Sequence, residues 1–508
     1  MSNRKIVRAL ISVFYKDNLE PIIHLLGEHG VEFVSTGGTQ DFIEKLGYKV
    51  TPVEKLTGYP SIFGGRVKTL HPAVFGGILY RRDDVSDVRQ AKEFDIIPID
   101  LVIVDLYPFE ETIAKGGTEE DIIEKIDIGG ISLIRGAAKN FNDVLIVSSR
   151  NQYGELLGLF QSNSVSSDLL DRKKFAAMAF DVTSDYDAAI FHYFNHEFQL
   201  PSFKKSIQKG RRLRYGENPH QQGTYFGDLD GLFEQLNGKE LSYNNLVDLD
   251  AAVNLVKEFE GETAFVIIKH TNACGVATAS TVKEAYLKAL QADTISAFGG
   301  VLATNKVIDL AAAEDINKLF FEILVAPGYD EKALALLKSK KNRMILLQKK
   351  QLNEKKQWKS ILNGVIEQDL DLKTDSIEDL KVMTKRAPSE DEVNALLFAS
   401  KICKHTKSNT IILAVNGQLL ASGVGQTSRV DALRQAIEKA ASFGFSLKDA
   451  VMASDAFFPF PDCVEIACQQ GIRTVIQPGG SVKDQDSINF CDQHNMAMVF
   501  TGIRHFKH

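Results

Sequence analysis

The chain has 508 residues, 44% of them hydrophobic and 25% charged, with a formal net charge of −7. That length exceeds one ordinary core and sets a prior of roughly two to four domains, and the acidic balance argues against nucleic acid as the main partner, which calls for a basic domain. No apolar run is long enough to span a membrane, Met1 to Ile11 lacks a signal-peptide pattern, and the five cysteines are scattered without a CxxC pair, so a cytoplasmic protein with no disulfide framework, zinc site or membrane partner is expected.

Arg8 to Phe14 reads as a first strand, and Asp17 to Gly30 as a helix between a polar cap and a glycine. A second strand, Val31 to Val34, runs into Ser35-Thr36-Gly37-Gly38-Thr39 and a helix-like TQDFIEKLGY. Such a loop offers backbone N–H groups, hydroxyls and the positive end of a helix dipole; it is a phosphate cradle or a plain β–α turn. In GGRVKTLHP, Gly64 to Pro72, Arg66 and Lys68 alternate with apolar residues and share one side of an extended segment, which suits an anion or simply solvent. Leu101 to Leu106 reads as a buried strand stopped by Pro108, with the Tyr107 hydroxyl at its mouth. Asp127-Ile128-Gly129-Gly130 precedes a helix that puts Arg135 and Lys139 four apart on one face. The alternation of strands and helices to about Asn195 predicts an α/β domain with a parallel sheet.

PSFKKSIQKG reads as a linker, and the cations from Lys204 to Arg214 as its solvated face or an anion patch. RYGENPHQ, Arg214 to Gln221, has the composition of a binding loop. Leu241 to Phe259 starts with amides and passes into a helix. Ala264 to Ile268 is a β-branched strand from whose end Lys269 and His270 emerge, either at the ligand crevice of an open sheet or as a surface lysine beside a capping histidine. Asp293 to Gly300 is a small-residue turn. Lys338 to Lys385, which holds the sole tryptophan, Trp358, reads as surface connections. Ser408-Asn409 precedes the strand TIILAV; a glycine-rich turn then carries Gln426, Ser428 and Arg429 into a helix, Val430 to Phe443. Ser454 to Asp462 packs three Phe and two Pro between acids, as a wall for a flat ligand or as core. No repeat of fixed period is evident.

In this order GGRVKTLHP, LYPF, DIGG, AAKN, RYGENPHQ, the Lys269-His270 pair, SDAFFPF and RHFKH resemble, over essentially the whole chain, the bifunctional purine-biosynthesis family. That family joins a phosphoribosyl-aminoimidazole-carboxamide (AICAR) formyltransferase to an inosine monophosphate (IMP) cyclohydrolase. The resemblance implies an α/β fold: a methylglyoxal-synthase-like, parallel-sheet cyclohydrolase domain over residues 1–197, and a transferase region over 198–508. The latter is implied to hold two similar cytidine-deaminase-like, zinc-free units with a charged connection at about 338–385. A homodimer with transferase sites at the subunit interface is implied too, as are the substrates AICAR, formyl-AICAR and the folate 10-formyltetrahydrofolate as co-substrate, with no essential metal.

Residue by residue, the resemblance sets the cyclohydrolase phosphate against Lys16 and Thr36, Gly37, Gly38 and Thr39, with Arg66 nearby. Lys68, Tyr107, Asp127 and Lys139 match catalytic positions: the cations would stabilise a carbinolamine oxyanion while Asp127 orients or deprotonates the attacking amide. In the transferase, His270 matches the base that takes the amine proton and Lys269 the cation that stabilises the formyl oxyanion. Arg214, Tyr215, Gly299, Asn409, Arg429, Phe457 and Arg504 match substrate-binding positions. Asp462 matches a folate-side position, and Glu322 stands where some members carry Asp. The sequence departs from the family pattern at Phe75 (His is usual), Asp105 (Asn), Gly136 (Ala), Ala273 (Pro) and Pro461 (Arg). Two other readings stay open: one half as a nucleotide-sensing or structural module, and a nucleic-acid binder resting on the Lys204 to Arg214 cations.

Overall fold

Five short strands pair in parallel, the central ones runs of Ala, Leu, Ile, Val and Phe buried on both faces, the arrangement that needs helices on each side. They are β1 (Arg8–Ser12), β2 (Glu32–Ser35), β3 (Val50–Pro52), β4 (Leu101–Val104) and β5 (Leu145–Val147), in the order β3-β2-β1-β4-β5. The computed structural model describes residues 3–508, and these strands belong to the first of its two compact units, which ends at Gln208; the second runs from Lys209 to His508.

The covering helices are α1 (Glu20–Glu28), α2 (Gly37–Lys45), α3 (Pro72–Leu79), α4 (Gly129–Lys139) and α5 (Leu169–Phe198). α4 buries Leu133, Ile134, Ala137 and Ala138, a stripe at helical spacing, and α5 packs on α4 and β5. A reciprocal Asp168–Asp171 capping box starts α5. Two departures from the family pattern meet here: a Cβ built on Gly136 lies 3.4 Å from the Phe75 ring, so the larger residue on α3 packs where α4 has lost a methyl. The chain leaves β1 toward β2 and β3, then returns to β4 and β5 on the other side. The strand order therefore reverses at the carboxyl ends of β1 and β4, the place where open α/β sheets form a crevice.

The second unit is built on a twelve-stranded mixed sheet. Its strands are β6 (Phe233–Asn237), β7 (Thr263–Lys269), β8 (Asn272–Ala279), β9 (Gly300–Thr304), β10 (Phe321–Ala326) and β11 (Met344–Gln348), then β12 (Lys381–Val382), β13 (Ile411–Val415), β14 (Gln418–Gly423), β15 (Val451–Ser454), β16 (Thr474–Gln477) and β17 (Ala497–Phe500). The order is β6-β11-β10-β9-β7-β8-β14-β13-β15-β16-β17-β12. One plan occurs twice. The β7–β8 hairpin is followed by β9 antiparallel to β7 and by β10 and β11 parallel to β9; the β13–β14 hairpin is followed likewise by β15, β16 and β17. The halves meet at β8 and β14 through one registered pair, Ala277 with Gln418.

Four helices of this unit bear on function: α6 (Tyr243–Lys257), α7 (Glu390–His405), α8 (Arg429–Ser442) and α9 (Asp462–Gln469). Two expectations are corrected. Residues 338–385 are not all surface connection: Met344, Ile345 and Leu346 are buried in β11, inside the sheet, while the hairpin of Lys356–Ile361 with Gly364–Asp369 is exposed throughout. The strand ending at Lys269 does not open onto a parallel-sheet crevice, because β7 is antiparallel to both neighbours and turns straight into β8.

Candidate active sites

At the strand-order reversal of the first unit, Asp105 follows β4 and is buried. Its carboxylate accepts the N–H of Phe14 and, at 3.0 Å, of Tyr15, which closes the loop after β1 over the crevice. Burial pushes this carboxyl above its ordinary range, opposed by those two N–H groups and by Lys16. Lys16 donates to the carbonyls of Val13 and, at 3.1 Å, of Phe14, and burial lowers its pKa, with Asp105 pulling upward and the Lys68 ammonium adding to the fall.

β2 ends at Ser35, and extended Thr36 then N-caps α2 without a side-chain hydrogen bond of its own to the helix amides. Gly37 has φ +53°, a conformation that glycine adopts without a Cβ penalty; a Cβ built there would stand 4.0 Å from Lys68 Nζ. The Lys68 ammonium thus lies against the amino end of α2. Thr39 plays another part: its hydroxyl accepts the Val13 N–H at 3.1 Å and donates to the Val13 carbonyl at 2.9 Å, tying α2 to the end of β1.

Asp127 stands just before α4. Its Oδ1 accepts the Gly130 N–H at 2.6 Å, and its own N–H donates to the Tyr186 hydroxyl of α5 at 2.9 Å. A Cβ on Gly130 would fall 2.4 Å from Asp127 Oδ2, so this carboxylate demands a glycine there. Burial raises the Asp127 pKa, against the Gly130 and Tyr107 N–H groups, with Asp105 raising it further and Lys68 lowering it. Burial likewise raises the Tyr107 phenol, helped by Asp127 and Asp105. Lys16, Lys68, Asp105, Tyr107 and Asp127 therefore share one field at one end of the sheet.

Two expected members lie elsewhere. Residues Phe63–Gly65 form a tight turn and Arg66 after it keeps helical dihedrals (φ −62°, ψ −27°), so the segment is not extended at Arg66, which is largely exposed and pairs with Glu124. Lys139 is the last residue of α4, roughly 15 Å along the axis from the end that Asp127 caps, at about 1.5 Å per residue. Next to it Asn140, on the way into β5, donates to the Ile78 carbonyl of α3 at 2.8 Å.

In the second unit the β7–β8 ladder closes with Lys269 opposite Asn272, so His270 and Thr271 are the two-residue loop of the hairpin. Lys269 Nζ donates to the carbonyls of Phe298 at 3.0 Å and Gly299 at 3.1 Å, while the His270 imidazole is exposed. Gly299 has φ +69°, and a Cβ there would sit 3.1 Å from the Lys269 ammonium. Glu322, near the start of β10, pairs with Lys239 at 3.1 Å. Arg214 lies over the Tyr215 ring at 5.3 Å; their loop is tethered to the first turn of α6, where Asn244 donates to the Glu217 carbonyl at 3.1 Å.

Across the seam, Asn272 Oδ1 accepts the Lys407 N–H at 3.3 Å. The Ser408 N–H donates to the Lys507 carbonyl at 2.9 Å, and the Lys507 N–H to Ser408 Oγ at 3.0 Å. Arg429 opens α8 and is buried: it donates to Asn409 Oδ1 at 2.8 Å, to Asp455 Oδ1 at 3.0 Å and to the Phe457 carbonyl at 3.1 Å. Phe458 is core, whereas Phe457 and Phe460 are exposed, so the aromatic stretch divides between the two expected roles. Arg504 stacks over Phe506 at 4.4 Å. A cavity of about 380 Å³ is lined by Ser428, Arg429, Arg434, Phe460 and Asp462.

His505 is buried, donates its N–H to the Asp455 carbonyl at 3.0 Å, and holds its ring between Asp371 at 2.6 Å and Asp375 at 3.5 Å. Burial alone lowers its pKa; the two carboxylates more than reverse that, from 6.5 to about 9. Because the folded value exceeds the unfolded one, the stabilisation is fully present below 6.5 and is lost as pH rises through about 9. The loss is on the order of 3 kcal/mol. The urea midpoint of the full chain, followed by circular dichroism, is expected to fall over that window, and to fall less in His505→Gln; equal slopes would show that the ring is not charged.

Tyr186, Asp455 and His505 lie outside the sequence-based site, and Asp105 enters it only as a departure from the usual Asn. Asp105 had a local signal, an acid at the end of an apolar strand; the others are joined to their partners only by the fold.

Each of the two α/β units holds a group of cationic and acidic side chains beside its sheet, the composition of a candidate acid–base site. The AICARFT/IMPCHase bienzyme family model matches residues 137–439, and the MGS-like domain model matches residues 18–132. The chain is 59% identical to a bifunctional purine biosynthesis protein PurH of Bacteroides thetaiotaomicron, covering 100% of this chain and 99% of that one. Proteins of the same description from Aquifex aeolicus and Oceanobacillus iheyensis are each 45% identical, covering 99% of this chain and 100% and 99% of theirs. The chain belongs to the AICARFT/IMPCHase bienzyme family, with an MGS-like domain at its N-terminal end.

Proposed function

We propose that the unit from Lys209 to His508 transfers a formyl group from 10-formyltetrahydrofolate to the 5-amino group of AICAR, and that the unit ending at Gln208 closes formyl-AICAR to IMP. The observation that carries the reading is the Lys269–His270 turn, a fixed ammonium beside an exposed imidazole. The aminoimidazole nitrogen is conjugated with its ring and is a weak nucleophile. His270 takes its proton as the nitrogen attacks the formyl carbon, and Lys269 stabilises the oxyanion that forms. The bond from that carbon to folate N10 then breaks, and N10 takes up a proton to give tetrahydrofolate. Arg214, Tyr215, Asn409, Phe457 and Arg504 bind AICAR, and Asp462 faces the folate.

In the first unit, the amides of Thr36 to Thr39 with Lys16 hold the nucleotide phosphate at the amino end of α2. The carboxamide nitrogen attacks the formyl carbon of the same molecule. Asp127, whose buried carboxyl holds a proton more readily than usual, takes the amide proton and returns one to the leaving water. Lys68 stabilises the intermediate oxyanion, and Tyr107 donates to it.

The two clusters support catalysis in both halves over a sensing module in either. The cations of the linker region are partly spent: Lys209 pairs with Asp228 at 3.1 Å and Arg211 with Asp230 at 2.6 Å, which weighs against a nucleic-acid surface. No described helix is long and apolar enough to cross a membrane. A cytoplasmic homodimer completes the proposal, with sedimentation velocity as the check on assembly. Purified protein given AICAR and 10-formyltetrahydrofolate is expected to release tetrahydrofolate and IMP. Formyl-AICAR accumulating without IMP would overturn the cyclohydrolase assignment, and absence of tetrahydrofolate the transferase.

A further inference from the structure

The loop of the β7–β8 hairpin breaks a local rule. His270 has φ +53° and Thr271 φ +65°, so both loop residues are left-handed, the conformation that two-residue hairpin loops reserve for Asn and Gly. For a β-branched threonine this is a true outlier, and such a conformation persists only where its surroundings over-determine it. Three side chains hold it, the first being Thr271 itself, whose hydroxyl donates to the His270 carbonyl at 2.6 Å. Asp248 Oδ1, on α6, accepts the Thr271 N–H at 2.7 Å. Asn272 donates from Nδ2 to the His270 carbonyl at 2.8 Å, while its Oδ1 takes the Lys407 N–H.

We infer that Asp248 is a positioning residue for formyl transfer: by capturing the Thr271 N–H it holds the turn that aims the His270 imidazole, with Asn272 clasping the same turn and tying it to Lys407 of the other half of the sheet. The inference rests on the proposed role of His270 as base. α6 is a rigid mount for the task. A reciprocal Ser242–Asn245 capping box starts it, and Leu249, Ala252, Val253 and Val256, on the turns around and beyond Asp248, are buried in the core of the unit. The same helix tethers the Arg214–Tyr215 loop through Asn244, so one element sets both the base and a substrate-binding loop. Asp248 touches no reacting atom; it acts through the backbone of Thr271.

Without its acceptor the turn relaxes, and the imidazole leaves the line of the amine proton. A misplacement of this kind costs up to about 100-fold in rate. In Asp248→Ala, kcat for formyl transfer is expected to fall about 10- to 100-fold, while the Kd for AICAR stays within about threefold. Asp248→Asn, which keeps an oxygen acceptor at Oδ1, is expected to recover kcat to within about threefold of wild type. Unchanged kcat in Asp248→Ala overturns the inference, as does an Asn variant as slow as the Ala one. A loss of AICAR binding equal to the loss of kcat makes Asp248 merely structural and overturns it too. Failure of the wild-type protein to release tetrahydrofolate would instead sink the transferase reading on which the inference rests.

Discussion

Replacing His270 with alanine is expected to slow formyl transfer by about 10²- to 10⁴-fold, the range of general acid–base catalysis, while ring closure of formyl-AICAR keeps its wild-type rate. The split follows from chemistry held in separate places. The imidazole lies at the hairpin tip of the second unit, whereas Lys68, Tyr107 and Asp127 belong to the first. Truncation leaves a small exposed side chain in a turn that Asp248 and Asn272 still hold, so AICAR binding survives the change. Single-turnover formyl transfer reads the effect directly, and a near-normal rate would remove His270 from the mechanism.

Arg429→Ala is expected to cost about 3–5 kcal/mol of stability in addition to any loss of substrate binding, because it leaves the Asp455 charge buried without its partner. The Asp455 side chain is 0% exposed and that of Arg429 9%, and Arg429 Nε and Asp455 Oδ2 already lack hydrogen-bond partners among the described residues. Resemblance assigns Arg429 to the substrate; the structure also makes it the link between Asn409, Asp455 and the Phe457 carbonyl. The two roles separate by experiment. Replacing both partners, Arg429→Met with Asp455→Leu, should recover most of the urea midpoint, since apolar residues of like volume often replace a buried pair at no cost. Formyl transfer should stay low in that variant. A single Arg429→Ala variant that keeps its midpoint and only raises KM for AICAR would refute the structural half of this account.

What was legible in the sequence was local. The β-branched runs at Arg8, Val31, Leu101 and Ala264 all became strands, because a short apolar run bounded by turn residues has few other stable fates. The glycine loop at Gly37 and the polar turn before Gly129 both became helix starts. β11 was missed because its apolar core, Met344 to Leu347, is short and lies among lysines, and only neighbouring strands tell such a run from a loop. The doubled plan of the large sheet left no fixed period, since the connections within each half differ in length. At the sites, residue types were readable but directions were not. Arg66 and Lys68 alternate in sequence, yet the chain is not extended at Arg66, which turns out to Glu124. Lys139 shares a helix with the Asp127 loop and stands at its far end. Tyr186, Asp455 and His505 act through partners that lie from about 25 to more than 130 positions away along the chain, beyond any local pattern.

The seam between β8 and β14 bears on the order in which the two activities arise in a growing polypeptide. The residues gathered at the crevice of the first unit, with Tyr186 of α5, all lie before its end at Gln208. The other centre draws on Asn272 from one half and on Lys407, Asn409 and Lys507 from the other, so it cannot assemble until the final turns of the second half are made. Units of this kind fold as they leave the ribosome, N-terminal first, and contacts of long sequence separation form slowly. On the roles proposed above, a newly made chain is expected to consume formyl-AICAR before it is able to produce it.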